Sequence, residues 1–289
     1  MKRAAFLVLL SILIVGSFAL AQSKPWPADR VAQGSVPAVQ GPVTTSAGYT
    51  PILLATGGGM GRGIGVTGMA TRVFFDDLRT LVNVYENGAF TSSGVGDNAY
   101  CGRWANGYFF GDVSGHVYCL INGKAKLLAT VRNEPLISAL TVDPANGNVY
   151  FATGNGLNVI YLLRKGGSRP VRIGKVSFPC YGLAVKGSGL YFSDFNDGLI
   201  YRMPKHGGAK RVVYSGFSSP CDIIFDKGGN LFVADWTGSA IWVLKSGTNV
   251  PVPLAEGINC PYGIGLDSKG NVYFSTDAGA LWELEKISD

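Results

Sequence analysis

Short apolar runs that carry an aromatic residue and end in Asp or Thr recur along the chain: Tyr-Phe-Phe-Gly-Asp at 108–112, Val-Tyr-Phe-Ala-Thr at 149–153 and Leu-Tyr-Phe-Ser-Asp at 190–194, then Leu-Phe-Val-Ala-Asp at 231–235 and Val-Tyr-Phe-Ser-Thr at 272–276. The five copies start 41 residues apart, and a sixth, Val-Phe-Phe-Asp-Asp at 73–77, begins 35 residues before the first of them. Around each copy the polar positions fall into turns. In one unit Lys227-Gly228-Gly229-Asn230 and Asp235-Trp236-Thr237-Gly238 separate strands predicted over 222–226, 231–234, 240–244 and 250–255. Gly, Asn and Asp suit those turns because they tolerate the positive φ of tight hairpins. Runs apolar on both faces, such as Val272-Tyr273-Phe274, suit sheets covered on two sides. Six units of four short strands, about 41 residues each, predict an all-β, six-bladed propeller.

The last unit supplies only three strands, over 262–266, 271–275 and 280–284, before the chain ends. A strand at 50–57, Thr-Pro-Ile-Leu-Leu-Ala-Thr-Gly, resembles the fourth strand of the preceding unit and stands before the first unit's inner strand at about 63–67. Pairing it with the last unit closes the ring and removes two open sheet edges. The propeller is therefore expected over 50–289.

Upstream, Lys2 and Arg3 precede an apolar run from Ala4 to Leu20 that ends in Ala-Leu-Ala, the pattern of a secretory signal peptide over 1–21 cleaved after Ala21. An uncleaved anchor is the alternative, at the short limit for a span. Residues 22–49, with four prolines among Ser, Thr, Gly and Ala, read as an extended leader. A periplasmic or extracellular protein without membrane insertion after cleavage follows, expected as a monomer.

Composition sharpens this picture. Glycine makes up 41 of 289 residues, about twice the usual ~7 %, and the turns account for much of it. Charged residues are 15 % and hydrophobic ones 47 %, which excludes disorder. The formal charge of +6 comes from 25 Lys and Arg against 19 Asp and Glu. Without Lys2 and Arg3 it becomes 23 − 19, or +4, and no nucleic-acid partner is expected. Two histidines leave little for a His-rich metal centre. A literal G-x-G-x-x-G at Gly63, Gly65 and Gly68 is followed by an apolar strand instead of a helix, so it is not a dinucleotide fingerprint.

The runs Leu-Tyr-Phe-Ser-Asp-Phe-Asn-Asp-Gly-Leu-Ile-Tyr-Arg at 190–202 and Gly-Asn-Leu-Phe-Val-Ala-Asp-Trp-Thr-Gly-Ser-Ala-Ile-Trp at 229–242 resemble NHL and YWTD propeller repeats, with the gluconolactonase/regucalcin group as a more distant relative. That likeness implies the fold over about 50–289 and leaves function open, because these propellers include binding ectodomains, lactonases and lyases. Gluconolactonase-like enzymes hold a divalent cation at the channel mouth through Glu, Asn and Asp at the starts of inner strands. Of the comparable positions here only Asp222 matches, so no cofactor is expected, with a divalent ion as the alternative.

The residues expected at the mouth are Ser138, Tyr181, Asp222 and Tyr262, with Arg62 and Arg103 in reach. Two functions follow: a non-catalytic binding module for a protein, peptide or glycan, or a lactonase-like hydrolase or lyase. The second would use Asp222 as metal ligand or base and Arg103 or Tyr181 to polarise the substrate. Cys180 and Cys221 occupy one repeat position and Cys260 the neighbouring one, so an inter-blade disulfide Cys180–Cys221 or Cys221–Cys260 is feasible near the axis. Cys101 and Cys119 fall in one blade as a second possible pair. The acids that end second strands, Asp77, Asp112, Asp194 and Asp235, recur too regularly for catalysis and are assigned to holding turns. Tyr118, Tyr161, Tyr201, Trp242 and Trp282 are assigned to the packing between blades.

Overall fold

Each blade starts on the axis and zigzags outward, so strands consecutive in the chain run from centre to rim, with N-terminal strands added only at the outer edges of the last two blades. A computed structural model describes residues 43–46, 48–56, 64–67, 72–76, 82–92, 99–154 and 156–287. Among these there is no helix, and the strands form six antiparallel sheets. Their inner strands are Ile64–Val66, Ala99–Trp104, Ile137–Val142, Leu183–Lys186, Pro220–Phe225 and Pro261–Leu266, in blades 1 to 6. The predicted signal peptide, most of the leader, Arg62 and Asp77 lie outside the described residues.

Ring closure follows the expected route. Blade 6 consists of Pro261–Leu266, Val272–Thr276 and Ala280–Lys286, and its outer strand is the N-terminal Tyr49–Thr56, paired from Tyr49↔Lys286 to Thr56↔Ala280. The pairing extends further upstream than 50: Thr44–Thr45 adds a fifth strand to the outer edge of blade 5, opposite Glu256 and Ala255.

The repeated aromatics have one geometric cause. In four blades the third residue of the second-strand run is a phenylalanine directly opposite a third-strand aromatic: Phe110↔Tyr118, Phe151↔Tyr161, Phe192↔Tyr201 and Phe274↔Trp282. These rings stack with centroids 5.1–6.3 Å apart. Directly opposed pairs are the unit of sheet stabilisation, each about 0.2–1 kcal/mol. The third-strand aromatics thus pair first within their own blade, while the four phenylalanines are fully buried in the packed blade faces.

The recurrent acids hold turns, as their repetition suggested. Asp112 Oδ1 accepts the N–H groups of Ser114 and His116, and Asp194 Oδ1 those of Asn196 and Asp197. Asp235 reaches back to its own blade's entrance, accepting from the N–H groups of Ser218 and Ser219.

Close approach of inner strands at the axis requires glycine at particular points. A Cβ on Gly182 would lie 2.5 Å from the carbonyl oxygen of Cys221 and 3.0 Å from the Ile223 nitrogen, so blades 4 and 5 touch backbone to backbone there.

Candidate functional site

Arg103, near the end of the blade 2 inner strand, crosses the channel. Its Nη1 donates to the Ile264 carbonyl at 2.7 Å, and its Nη2 to Asp222 Oδ1 at 2.7 Å and to the Ile223 carbonyl at 3.3 Å. One side chain therefore ties blade 2 to blades 5 and 6. Asp222 is equally engaged, because Oδ1 also accepts the Ile223 N–H and Oδ2 the Ile264 N–H. Both side chains are 8 % exposed. Burial pushes the Asp222 carboxyl up, against the pull of Arg103 and the two backbone donors. Such a pair contributes little net stability, since removing two charges from water offsets their attraction.

Those contacts decide what Asp222 can do. Buried and holding a guanidinium and two backbone N–H groups, the carboxylate is a positioning group and not a base open to substrate. Nor do the residues fit the divalent cation of the gluconolactonase pattern: among the described residues no three His, Cys, Asp or Glu side chains converge on a metal-sized space. The guanidinium takes up the one matching carboxylate.

Above the pair, the mouth is aromatic. The loops after the second strands are tied to the starts of the inner strands by matching backbone bonds: Gly154 N–H to Leu136 O, Phe195 N–H to Pro179 O, Trp236 N–H to Ser219 O and Asp277 N–H to Cys260 O. These loop residues are spaced by 41, so blades 3 to 6 present Gly154, Phe195, Trp236 and Asp277 in turn. Tyr181 meets Phe195 edge-on at 5.4 Å, Phe195 meets Trp236 at 5.9 Å and Trp236 meets Tyr262 at 6.1 Å. Tyr181, Phe195 and Trp236 are half-buried, and the Trp236 indole N–H has no acceptor among the described residues. Asp277 is half-buried on the same rim.

Of the expected mouth residues, Asp222 and Arg103 meet directly, and Tyr181 and Tyr262 join one aromatic row. Ser138 does not belong to the site. It is buried and donates to the Cys180 carbonyl at 2.8 Å, linking blades 3 and 4. Phe195, Trp236 and Asp277 were missed. The signal for them was the position just after each repeated strand-ending Asp or Thr, which holds two neighbouring aromatics and then a carboxylate.

No cysteine forms a disulfide, which corrects the expected Cys180–Cys221, Cys221–Cys260 and Cys101–Cys119 bridges. Equivalent repeat positions do not face one another: Gly182, not Cys180, lies against Cys221, while the Cys180 thiol turns to the Gly182 carbonyl at 3.6 Å. Cys260 lies in a left-handed turn, φ +50°. Burial, with the Asp277 charge adding to it, pushes its thiol up to about 11.

No family model matches the chain, and no curated protein does. Solved structures do. A gluconolactonase from Xanthomonas campestris aligns with a TM-score of 0.73 at 16 % identity, covering 84 % of this chain and 91 % of that one. A luciferin-regenerating enzyme gives 0.71 at 12 % identity, covering 83 % and 96 %. Regucalcin from Agrobacterium tumefaciens, a calcium-binding protein, gives 0.66 at 14 % identity, covering 83 % and 94 %. The chain is thus a six-bladed propeller whose structural neighbours include gluconolactonase and regucalcin propellers. These neighbours overturn the expectation of a non-catalytic binding module and favour the lactonase-like alternative. At such identities the likeness itself establishes the fold.

Proposed function

We propose that this protein is a lactone-opening hydrolase of the gluconolactonase-like kind, acting at the aromatic mouth without a bound metal ion. The observation that carries this reading is the rim: a row of aromatic rings and a half-buried carboxylate set above a buried ion pair. Perturbed, desolvated charges beneath a concave mouth are a mark of reaction sites. The substrate class comes from the gluconolactonase neighbours.

On this reading Tyr181, Phe195 and Trp236 bind the apolar face of a cyclic ester. Asp277 is the general base that takes a proton from the attacking water. The bond formed joins the water oxygen to the carbonyl carbon; the ester C–O bond then breaks, and Asp277 returns its proton to the leaving alkoxide to give a hydroxy acid. Arg103, held by Asp222, supplies a fixed positive charge under the developing oxyanion, which is worth more in a desolvated channel than in water. The enzyme works outside the cytoplasm after removal of residues 1–21.

The test is a proton-release assay on γ- and δ-lactones. The intact enzyme is expected to exceed the buffer rate. Asp277→Asn should lose about 10²–10⁴-fold, the usual contribution of a positioned base, and Trp236→Ala should raise KM more than it lowers kcat. Failure of the intact protein to open any lactone faster than buffer defeats the proposal; full activity in Asp277→Asn removes the base assignment.

A further inference from the structure

The inner strands begin at the aromatic rim and end, with the hairpins that follow them, around a second opening at the other side of the ring. There the structure has a cavity of about 1200 Å³, bordered by Ile224, Phe225, Leu266 and the neighbouring hairpins, with Arg103 among its lining residues. It exceeds the roughly 300–1,000 Å³ of ordinary small-molecule pockets.

Its charges are unequally committed. The acids that border it are consumed by their own turns. Asp226 accepts the Asn230 N–H and Nδ2, and Asp267 accepts the N–H groups of Lys269 and Asn271 together with Asn271 Nδ2. Asp143 accepts from Ala145 and Asn146 and pairs with Lys205 at 2.6 Å. Four exposed lysines also line the cavity, Lys227, Lys245, Lys269 and Lys286, and none forms a salt bridge among the described residues. The second, independent mark is Arg103. It is 7 % exposed, and its Nε is buried with no acceptor among the described residues. A buried guanidinium N–H without a partner carries a desolvation cost that an acceptor would remove.

We propose that this cavity is a second binding site, distinct from the aromatic mouth, for a small oxyanion: a carboxylate or phosphate seated toward Arg103 with the lysines around it. Lysine as a mobile point charge and arginine as a fixed fork are the usual partners of such groups. Arg103 is shared with the lactone reading, but binding at the lysines requires no turnover, so the two readings fail separately.

Calorimetric titration of the full chain at low ionic strength, with inorganic phosphate in one arm and gluconate in the other, tests it. Saturable binding in either arm is expected, and the tighter arm identifies the ligand class. The variant carrying Lys245→Gln and Lys269→Gln, both at exposed positions, should raise Kd at least tenfold. Absence of saturable binding in both arms overturns the proposal, as does equal affinity in the double variant.

Discussion

Glu283 shows how a single half-buried carboxyl couples this fold to pH. Its Oε1 accepts from the Tyr273 hydroxyl at 2.7 Å and from Asn271 Nδ2 at 3.0 Å. Burial, with Glu285 and Asp267 nearby, pushes its carboxyl above the ordinary 4.5, although the Tyr273 hydrogen bond opposes the shift. A carboxyl raised on folding binds its proton more tightly in the native state than in the unfolded one. The stability it adds is complete below the unfolded value and is lost as pH rises through the native value. Glu283→Gln keeps an acceptor for Tyr273 and Asn271 and removes the charge. Its Tm relative to the parent should therefore climb as pH rises above the unperturbed carboxyl value of ~4.3. A gap that stays flat or falls as pH rises would show that Glu283 is not held in this way.

Between strands, the spacing at the axis is set by what Gly182 leaves out. Alanine there would bring its Cβ to 2.5 Å from Cys221 O and 3.1 Å from Asp222 Cα, all backbone that cannot rotate aside. Gly182→Ala should cost about 1–3 kcal/mol in urea unfolding, the range for overpacking. Gly174→Ala is the comparison, because its Cβ would meet only side chains at ordinary contact distance, Met203 at 3.4 Å and Ile160 at 4.0 Å; it should change stability far less. Equal effects would sink the argument. The same contact explains what could be read from the sequence. Strand positions were legible because the apolar-aromatic runs and the Asp, Asn and Gly turns repeat with the blade, and register fixes which residues share a face. The facing of Cys180 was not legible, because repeat equivalence gives radial position and says nothing about which side chain points to the neighbouring blade. Arg103 and Asp222 were legible as mouth candidates, but their contact joins residues 119 apart across the ring. No local spacing encodes that meeting. Phe195, Trp236 and Asp277 carried a usable signal, the 41-residue step, obscured because Asp235-Trp236-Thr237-Gly238 also reads as an ordinary turn.

For the whole molecule the decisive interaction is the return of the N-terminal strand to the last blade. Tyr49–Thr56 satisfies the outer edge of Ala280–Lys286, and Leu54 and Ala55 pack against the cluster of Ile64, Val73 and Phe75 that blade 1 shares with Tyr273 and Leu281 of blade 6. Without that strand, Ala280–Lys286 becomes an open edge, a template for pairing with another chain. A protein lacking residues 1–56 should therefore elute as oligomers or aggregate, and should lose a single cooperative unfolding transition. Two explanations for such a loss can be separated by moving the strand. Placing residues 43–56 after Asp289 through a short flexible linker restores the pairing while leaving the covalent link to blade 1 cut. If edge satisfaction holds the ring closed, this permuted chain should elute as a monomer with one transition, and its Tm should lie much nearer the parent's than the shortened chain's. If it aggregates as the shortened chain does, the covalent passage from the closing strand into blade 1 is the essential element, and pairing alone does not close the propeller.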